Sequence, residues 1–479
     1  MKKKINIIYL LFMLFLVLLN YITKNSNILN LVLSSSLSIL LYNIFSELNI
    51  KSTLEKYKNK YKIYKITIIF ISLLFIVFSA LSFLIGSVMS IKGLNIINVL
   101  GVLFTLTIII IKITSIFLEY TKYKKLGNKL FNIYLLLLLL INSISSILLY
   151  QVFKLDDYIK VLLLYSVNIM IFIIIMLLLY IFILRKNKVK VREKYNYKEI
   201  IRSILDINKS ITIYNLIKEG YIYTSIIILY YTLINKYNYS YENTSIIIVN
   251  VYFYGIYFIK YISYILKKHL EVNSDNFSNQ IIKVSNYLIT ITILLMIISG
   301  PICKILFSNN NFLFDLVVLI FFYTLYNYVM DISIKVTSSK INKISLLSGL
   351  IIKLVFEIPL INASYRMGSS LYFGSVLSII IGMATSTIIS IIFINKKLKI
   401  SILNNFSNIL NIIYENIILC LILVLLTLIV RVENTSIIGS ILVIIFYTFI
   451  TILFYIIKKI LKKKVWVYCT FFYIMISLY

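Results

Sequence analysis

Lysine and arginine are concentrated in every second gap between the long apolar segments of this 479-residue chain. Of the 48 basic residues, 36 lie in one alternating set of gaps and eight in the other, and four lie inside apolar segments. Cytoplasmic loops of membrane proteins retain Lys and Arg. The alternation therefore predicts a chain that crosses a bilayer about fourteen times, with the N-terminus and the C-terminus both in the cytoplasm. The basic gaps are residues 2–4, 51–65, 122–129, 185–209, 267–283, 335–343, 396–399 and 458–464.

The apolar segments are long enough to be transmembrane helices. A hydrocarbon core about 30 Å thick needs about 20 apolar residues of helix, and 61% of this chain is hydrophobic. We predict an all-α polytopic membrane protein, since such long continuous apolar runs differ from the alternating strands of a membrane barrel. The predicted spans are 5–22, 29–49, 66–90, 95–119, 130–152, 161–184, 210–234, 244–266, 284–306, 311–334, 344–362, 371–394, 409–430 and 436–457.

Composition excludes several classes of function. The formal net charge of +31 would suit a nucleic-acid-binding protein, but retention of basic residues in cytoplasmic loops explains most of it, so no nucleic-acid partner is expected. The three cysteines lie far apart without CxxC spacing and there is one histidine, so we expect neither a disulfide framework nor a metal site. No catalytic motif and no cofactor-binding motif is present, and the chain is not expected to be an enzyme.

The chain divides into two halves that repeat. Its longest polar interruption predicts an N-terminal six-helix lobe at 1–184, a cytoplasmic amphipathic linker at 185–209, a C-terminal six-helix lobe at 210–395, and two further helices with a tail at 396–479. Within the linker, the spacing of apolar residues predicts a helix over 197–207 that lies in the membrane interface. Six helices in each half make the repeat parallel, and such halves commonly enclose a central cavity and rock against each other.

Four lysines lie inside predicted spans, where ionisable residues are costly and indicate a functional site by default. They are Lys112, Lys218, Lys260 and Lys353, each predicted to lie about 10–15 Å from the cytoplasmic face at 1.5 Å per helical residue. Lys112 and Lys260 are close enough to the surface to extend their ammonium groups to it, which is the alternative to a functional role.

Two of these lysines have a carboxylate close in sequence. Glu219 follows Lys218, and Glu357 lies four residues after Lys353, on the same helical face. One interpretation is a structural ion pair. The other is the cationic floor of a cavity that opens to the cytoplasm and binds a phosphate or diphosphate head group. Pro359 lies two residues beyond Glu357 and predicts a hinge in that helix.

Three segments carry a resemblance to a known family. They are EYTKYKKLGNKLFNIYLLLLLLINSISSILLY, PICKILFSNNNFLFDLVVLIFF and VTSSKINKISLLSGLIIKLVFEIPLINASYRMGSSLYFGSVLSIIIGMATSTIIS. With the plan of six, six and two helices, the chain resembles the polysaccharide-transporter and lipid-flippase branch of the multidrug/oligosaccharidyl-lipid/polysaccharide (MATE-like) superfamily. Within that branch it resembles most the stage V sporulation protein B and lipid II flippase group.

The resemblance implies how the basic residues are used. Lipid II flippases place basic residues in cavity helices 1, 2 and 8, and here Lys260 lies in helix 8. Predicted helix 1 has no charge, and predicted helix 2 offers serines with Glu47 near its end. This departure favours another lipid-linked glycan over lipid II as the substrate.

The expected function is that of a plasma-membrane flippase. The resemblance implies transfer of a polyprenyl-diphosphate-linked oligosaccharide or polysaccharide precursor from the inner to the outer leaflet by alternating access. It also implies cell-envelope biosynthesis enzymes as candidate partners. Two alternatives stay open. One is a drug/cation antiporter of the same superfamily, and the other is a membrane assembly partner that does not transport.

Overall fold

The structure is a computed structural model of the full chain. It describes residues 7–23, 28–45, 48–57, 59–89, 91–183, 185, 196–205, 209–270, 277–307, 312–398, 406–429 and 436–477. Helices account for nearly all of these residues, and no strand occurs in these ranges. The chain is therefore an all-α polytopic membrane protein, as its apolar segments predict.

The described residues of the first half form eight helices. Helix α6 continues directly into a π-helical turn at Leu148–Val152, so the helical segment ends at Val152. The bounds are α1 Ile7–Ile22, α2 Leu29–Phe45, α3 Ile50–Lys56, α4 Lys60–Val88, α5 Leu94–Glu119, α6 Lys124–Ile147, α7 Asp157–Phe182 and the short linker helix α8 Tyr197–Ile204.

The described residues of the second half form nine helices, and two further π-helical segments lie in or at the end of its first two predicted spans. One, Thr232–Lys236, follows α9, and the other, Val249–Gly255, joins α10 to α11. The bounds are α9 Lys209–Tyr231, α10 Tyr241–Ile248, α11 Ile256–His269, α12 Phe277–Phe307, α13 Leu313–Val336, α14 Ser339–Arg366, α15 Leu371–Leu398, α16 Phe406–Ile429 and α17 Ile437–Ser477.

Twelve of the fourteen predicted spans are long and apolar enough to cross a membrane within the described residues. The other two predicted spans, 5–22 and 210–234, are present as α1 and α9 but fall outside that set. Helix α1 has 16 residues. Helix α9 is longer, but it is more polar because it includes Lys218 and Glu219. It packs against α2, α14 and α15, and a helix surrounded by protein needs less apolar surface than one that faces lipid.

Two large apolar cores hold the chain together. One is built mainly from α2, α4, α5 and α6, and the other runs through α9 to α15 and also takes residues from α1, α2 and α7. The two halves meet where α2 packs against α9 and where α1 packs against α11 and α12. Helices α16 and α17 pack on the outer side of α12. Many large apolar side chains elsewhere on the helices are exposed, as a lipid-facing surface requires.

Helix α8, Tyr197–Ile204, lies where the sequence predicts an amphipathic helix in the linker, but its apolar side contacts protein. Ile200 and Ile204 are fully buried in the core of the first half instead of facing lipid. The backbone N–H of Asn49 donates to the carbonyl of Ile204, and the Ser203 hydroxyl donates to Thr53 Oγ1 at 3.2 Å. The linker helix is therefore docked on α3 and α4, and its charged face points outward.

Candidate functional site

The four embedded lysines lie at different depths in their helices. Lys218 and Lys260 are each nine residues from the end of α9 or α11 that is predicted to be cytoplasmic, about 14 Å along the axis. Lys112 is seven residues from the end of α5, about 10 Å. Lys353 is different, because α14 begins at residue 339 rather than at the predicted 344. It lies at the midpoint of that helix, about 21 Å from its start.

Lys353 and Glu357 form a fully buried ion pair within α14. Lys353 Nζ lies 2.5 Å from Glu357 Oε2, and both side chains are 0% exposed. The same ammonium donates to Thr224 Oγ1 of α9 at 2.6 Å. The other carboxylate oxygen accepts from the Ser375 hydroxyl of α15 at 2.8 Å. The pair thus has the geometry that the i, i+4 spacing predicts, and it ties together three helices of the second half.

The π-helical segment between α10 and α11 supplies the outer part of this network. Tyr252 Oη lies 2.6 Å from Ser375 Oγ, and the Tyr252 ring is buried. An extra residue in a π turn rotates the side chains that follow it, and such turns are frequent at functional sites. Nothing in the sequence pattern indicated Thr224, Ser375 or Tyr252, because Ser, Thr and Tyr occur throughout the chain. Only the packing of α9, α10, α14 and α15 brings these hydroxyls to the ion pair.

Glu219 pairs across helices instead of with its neighbour in sequence. Its Oε2 lies 2.5 Å from Lys260 Nζ on α11, and the two side chains are 10% and 16% exposed. One of the two interpretations of the sequence paired Glu219 with Lys218. Adjacent residues on a helix point about 100° apart, and the Glu219 carboxylate is directed toward Lys260 instead. The Lys260 ammonium also lies 5.0 Å from the centroid of the Tyr257 ring.

Lys218 has no carboxylate contact in the described part of the chain. Its Nζ lies 5.2 Å from the centroid of the Tyr214 ring, one helical turn earlier, and the side chain is partly buried. A ring face stabilises an ammonium group by a cation–π interaction, but the ring has no net negative charge with which to neutralise it. Glu219, Lys260, Lys267 and Asp331 are its charged neighbours, and the two carboxylates form direct ion pairs with Lys260 and Lys267. Of these three lysines, Lys218 is the one whose ammonium group has no direct ion pair in the described part of the chain.

Aromatic and amide groups surround this lysine cluster. The Tyr214 hydroxyl donates to Asn327 Oδ1 of α13, and the Tyr214 ring packs against Tyr326 at a centroid distance of 5.6 Å. Tyr323 and Tyr257 also lie near Glu219. Ammonium groups, ring faces and amides are groups that can bind phosphate oxygens and the ring faces of sugars, and in this conformation Tyr214, Tyr323, Tyr326 and Asn327 are buried. The sequence does not single out this set of residues, because the chain contains 40 tyrosines and these few cannot be distinguished from the others.

Lys112 lies apart from the other three lysines. It is on α5, in the first half, and its Nζ is 5.6 Å from the centroid of the Tyr42 ring on α2. Its side chain is half-buried. The structure therefore brings Lys218, Glu219 and Lys260 together, encloses Lys353 with Glu357 in a separate network, and leaves Lys112 in the opposite half.

Pro359 lies inside a continuous helix. Helix α14 runs through it from Ser339 to Arg366, and the proline leaves the carbonyl of Val355 without its helical N–H partner. The side chains of Pro359 and Val355 are both on the exposed side of the helix. The missing hydrogen bond is therefore on the side that faces lipid. This is where a helix bends most readily, and the predicted hinge stays a prediction.

Small residues bring α14 and α15 into close contact. A Cβ atom at Gly374 would lie 2.3 Å from the carbonyl oxygen of Leu360, and one at Gly382 would lie 2.7 Å from Cβ of Lys353. Ser386 and Ser345 exchange side-chain to backbone hydrogen bonds across the same contact. Gly374, Ser378, Gly382, Ser386 and Ser390 recur every fourth residue along α15. This row of small residues is thus a packing surface, and it fixes the position of the buried ion pair.

Comparison with solved structures identifies the fold. A structure described as "Lipid II flippase MurJ, inward closed conformation" superposes with a TM-score of 0.54 over 96% of this chain and 98% of that one, at 14% identity. A structure described as the outward-facing conformation of a multidrug resistance MATE family transporter of the MOP superfamily gives 0.49 at 11% identity, over 82% of this chain and 95% of that one. No protein-family model and no curated protein sequence matches this chain.

The lipid II flippase comparison extends over nearly the whole length of both chains. It shows that this chain has the fold of that flippase, and it agrees with the broader resemblance stated from the sequence. The closer placement beside the stage V sporulation protein B group stays a prediction. Within the described residues, no group of three or more His, Cys, Asp or Glu side chains could hold a metal ion.

Proposed function

We propose that this protein is a flippase of the plasma membrane. It moves a polyprenyl-diphosphate-linked oligosaccharide or polysaccharide precursor from the inner to the outer leaflet by alternating access. The observation that carries the proposal is Lys218, a membrane-embedded ammonium with no carboxylate contact in the described structure, beside Lys260 in a flippase fold. An embedded ammonium group with no direct ion-pair partner is costly, and a diphosphate would supply that partner.

The diphosphate binds between the halves of the chain, on the side predicted to be cytoplasmic. Lys218 contacts it first and Lys260 joins as its ammonium becomes available, while the neighbouring tyrosines and Asn327 contact the sugar. The lipid tail stays in the bilayer. Lys353 and Glu357 hold α9, α14 and α15 as one unit, and Pro359 is the point where α14 bends. Lys112, on α5, approaches the substrate from the opposite half when the halves close on it.

The membrane potential favours the outward movement of the carrier with its substrate bound. Moving one negative charge outward across the membrane yields about 2.3 kcal/mol per 100 mV. A diphosphate carries more negative charge than the lysine cluster carries positive charge, so the loaded carrier moves outward with the field. The empty carrier retains the charge of Lys218 and returns inward with the same field.

The two carboxylates beside the embedded lysines argue against the antiporter alternative. A cation antiporter needs a carboxylate that can face a cation. Glu357 is enclosed with Lys353, and Glu219 is held by Lys260. Both carboxylates are thus already neutralised by lysines. Nothing described in the structure favours the second alternative, a non-transporting assembly partner, over the flippase.

Proteoliposomes test the proposal directly. A fluorescent polyprenyl-diphosphate sugar is placed in one leaflet, and its transfer to the other is followed with and without an imposed potential. A polyprenyl-monophosphate sugar and a lipophilic cation are run in parallel. Protein-dependent transfer of the diphosphate that responds to the potential supports the flippase. Transport of the cation alone would establish the antiporter, and no transport by folded protein would favour the assembly partner.

A further inference from the structure

Glu219 forms an ion pair with the ammonium group of Lys260, which a phosphate of the substrate would contact. Its carboxylate lies 2.5 Å from Lys260 Nζ, and the pair is partly buried between α9 and α11. Lys218, one residue earlier, has no such partner in the described structure and rests on the Tyr214 ring. Lys218 and Lys260 therefore differ in how they can bind an anion. Lys218 can bind one at once, whereas Lys260 can bind one only when the Glu219 carboxylate leaves it.

We infer that Glu219 is an internal competitor for the anionic substrate and thereby determines specificity for diphosphate. The inference rests on the proposed function and adds a residue that acts against binding. When the substrate enters, the Glu219 carboxylate leaves Lys260 and a phosphate oxygen replaces it. When the substrate leaves on the other side, Glu219 returns and closes the site.

The competition separates anions by charge. A carboxylate is a single negative charge with two acceptor oxygens, whereas a diphosphate offers more charge and more oxygens that can reach both ammonium groups together. A singly charged anion gains only the contact with Lys218, because displacing Glu219 exchanges one ion pair for another. Discrimination of this kind comes from a cost placed on the wrong ligand rather than from an added contact to the right one.

The same competition assists release. A diphosphate held by two ammonium groups in a partly buried site would dissociate slowly, because charge-assisted hydrogen bonds are strong. Glu219 offers Lys260 a replacement partner that is always within reach, so no ammonium is left buried without a counter-ion as the substrate departs. Removing Glu219 is therefore expected to strengthen binding and to slow turnover.

Binding to the purified full-length protein in nanodiscs tests this inference. The probes are farnesyl diphosphate and the methyl ester of farnesyl phosphate, a phosphodiester with a single negative charge, whereas a phosphate monoester is nearly doubly charged at pH 7; binding is measured by isothermal titration calorimetry. We expect Glu219→Gln to bind the diphosphate about tenfold more tightly, the equivalent of one hydrogen bond to a charged group, and to bind the phosphodiester measurably. The matched control is Asp157→Asn. It removes the carboxylate from another partly buried ion pair, which Asp157 and Lys160 form on α7 at 3.1 Å. The control should bind as the wild type does.

Three outcomes decide the matter. Tighter binding by Glu219→Gln, with Glu219→Asp between it and the wild type, supports the inference, and the aspartate variant keeps the test available if the glutamine variant folds poorly. Unchanged or weaker binding by both variants, while the wild type binds diphosphate and Lys218→Ala does not, overturns the inference and leaves the proposed function intact. No diphosphate binding by any folded form would overturn the proposed function, and the inference with it.

Discussion

Lys353 and Glu357 neutralise each other at the centre of the second half of the chain, 2.5 Å apart and fully out of contact with solvent. Each also has a hydroxyl partner on another helix, Thr224 for the lysine and Ser375 for the glutamate. A buried ion pair with its remaining hydrogen bonds satisfied is costly to break on one side only. The pair therefore favours a single arrangement of α9, α14 and α15.

Breaking this pair on one side should destabilise the protein strongly. We expect Lys353→Met to lower the free energy of unfolding by about 3–5 kcal/mol, because it leaves Glu357 as an uncompensated buried charge. The double variant Lys353→Met/Glu357→Met should lose less than either single variant, since no unpaired charge remains. Thermal unfolding in detergent, arranged as a double-mutant cycle, measures both effects. Additive losses would show that the two side chains are not coupled.

The close contact between α14 and α15 depends on the absence of a side chain at Gly374. A methyl group there would lie 2.3 Å from the Leu360 carbonyl oxygen and 2.6 Å from the Ile361 nitrogen, both backbone atoms. We expect Gly374→Ala to lower stability by about 1–3 kcal/mol through overpacking. Gly220→Ala is the matched control, because nothing lies within 4 Å of the added atom and alanine favours helix over glycine. Equal melting temperatures for the two variants would refute the packing argument.

The apolar lengths and the alternation of basic gaps predicted most of the fold. Both signals come from the membrane, which imposes helix length and retains lysines on one side, so each can be recognised locally in the sequence. The bounds of α4, α5 and α13 lie within a few residues of the predicted spans, apart from the start of α4. The π-helical segments were not predicted, since they arise from packing between helices rather than from the pattern of any one segment.

The candidate site could be predicted only in part. Lys353 with Glu357 was recognisable because i, i+4 spacing places both groups on one face. The pairing of Glu219 with Lys260 was not, because 41 positions separate them along the chain. Their contact depends on how α9 and α11 pack. The contact of Lys112 with Tyr42 was likewise not recognisable, because it depends on how α2 and α5 pack, whereas Tyr214 lies four residues before Lys218, a spacing that the sequence does show.

Docking of the linker helix α8 on the first half can be tested by cross-linking. The Ser203 and Thr53 hydroxyl oxygens are 3.2 Å apart, so cysteines at both positions should form a disulfide under mild oxidation in a background without the native cysteines. A pair at Ser203 and Ser52 is the control, because Ser52 is exposed and turned toward its own helix. Cross-linking of the control as readily as the test pair would show that α8 is not held in this position.

The predicted orientation in the membrane can be tested by labelling single cysteines in intact cells. Ser240, before α10, lies in a gap predicted to be outside, and Ser338, before α14, lies in a gap predicted to be inside; both residues are exposed. We expect Ser240→Cys to react with a membrane-impermeant maleimide at once. Ser338→Cys should react only after permeabilisation. The reverse pattern would invert the topology derived from the basic residues.

The central claim is that Lys218 binds the phosphate groups of a lipid-linked substrate, and transfer in proteoliposomes tests it most directly. The comparison is between Lys218→Ala and Lys335→Ala, which removes the same charge from an exposed position near the end of α13. The flippase account predicts that Lys218→Ala slows transfer of a polyprenyl-diphosphate sugar at least about tenfold, as loss of a charged hydrogen bond requires. It predicts normal membrane insertion for both variants and nearly wild-type transfer for Lys335→Ala. Transfer by Lys218→Ala at the wild-type rate would contradict the account.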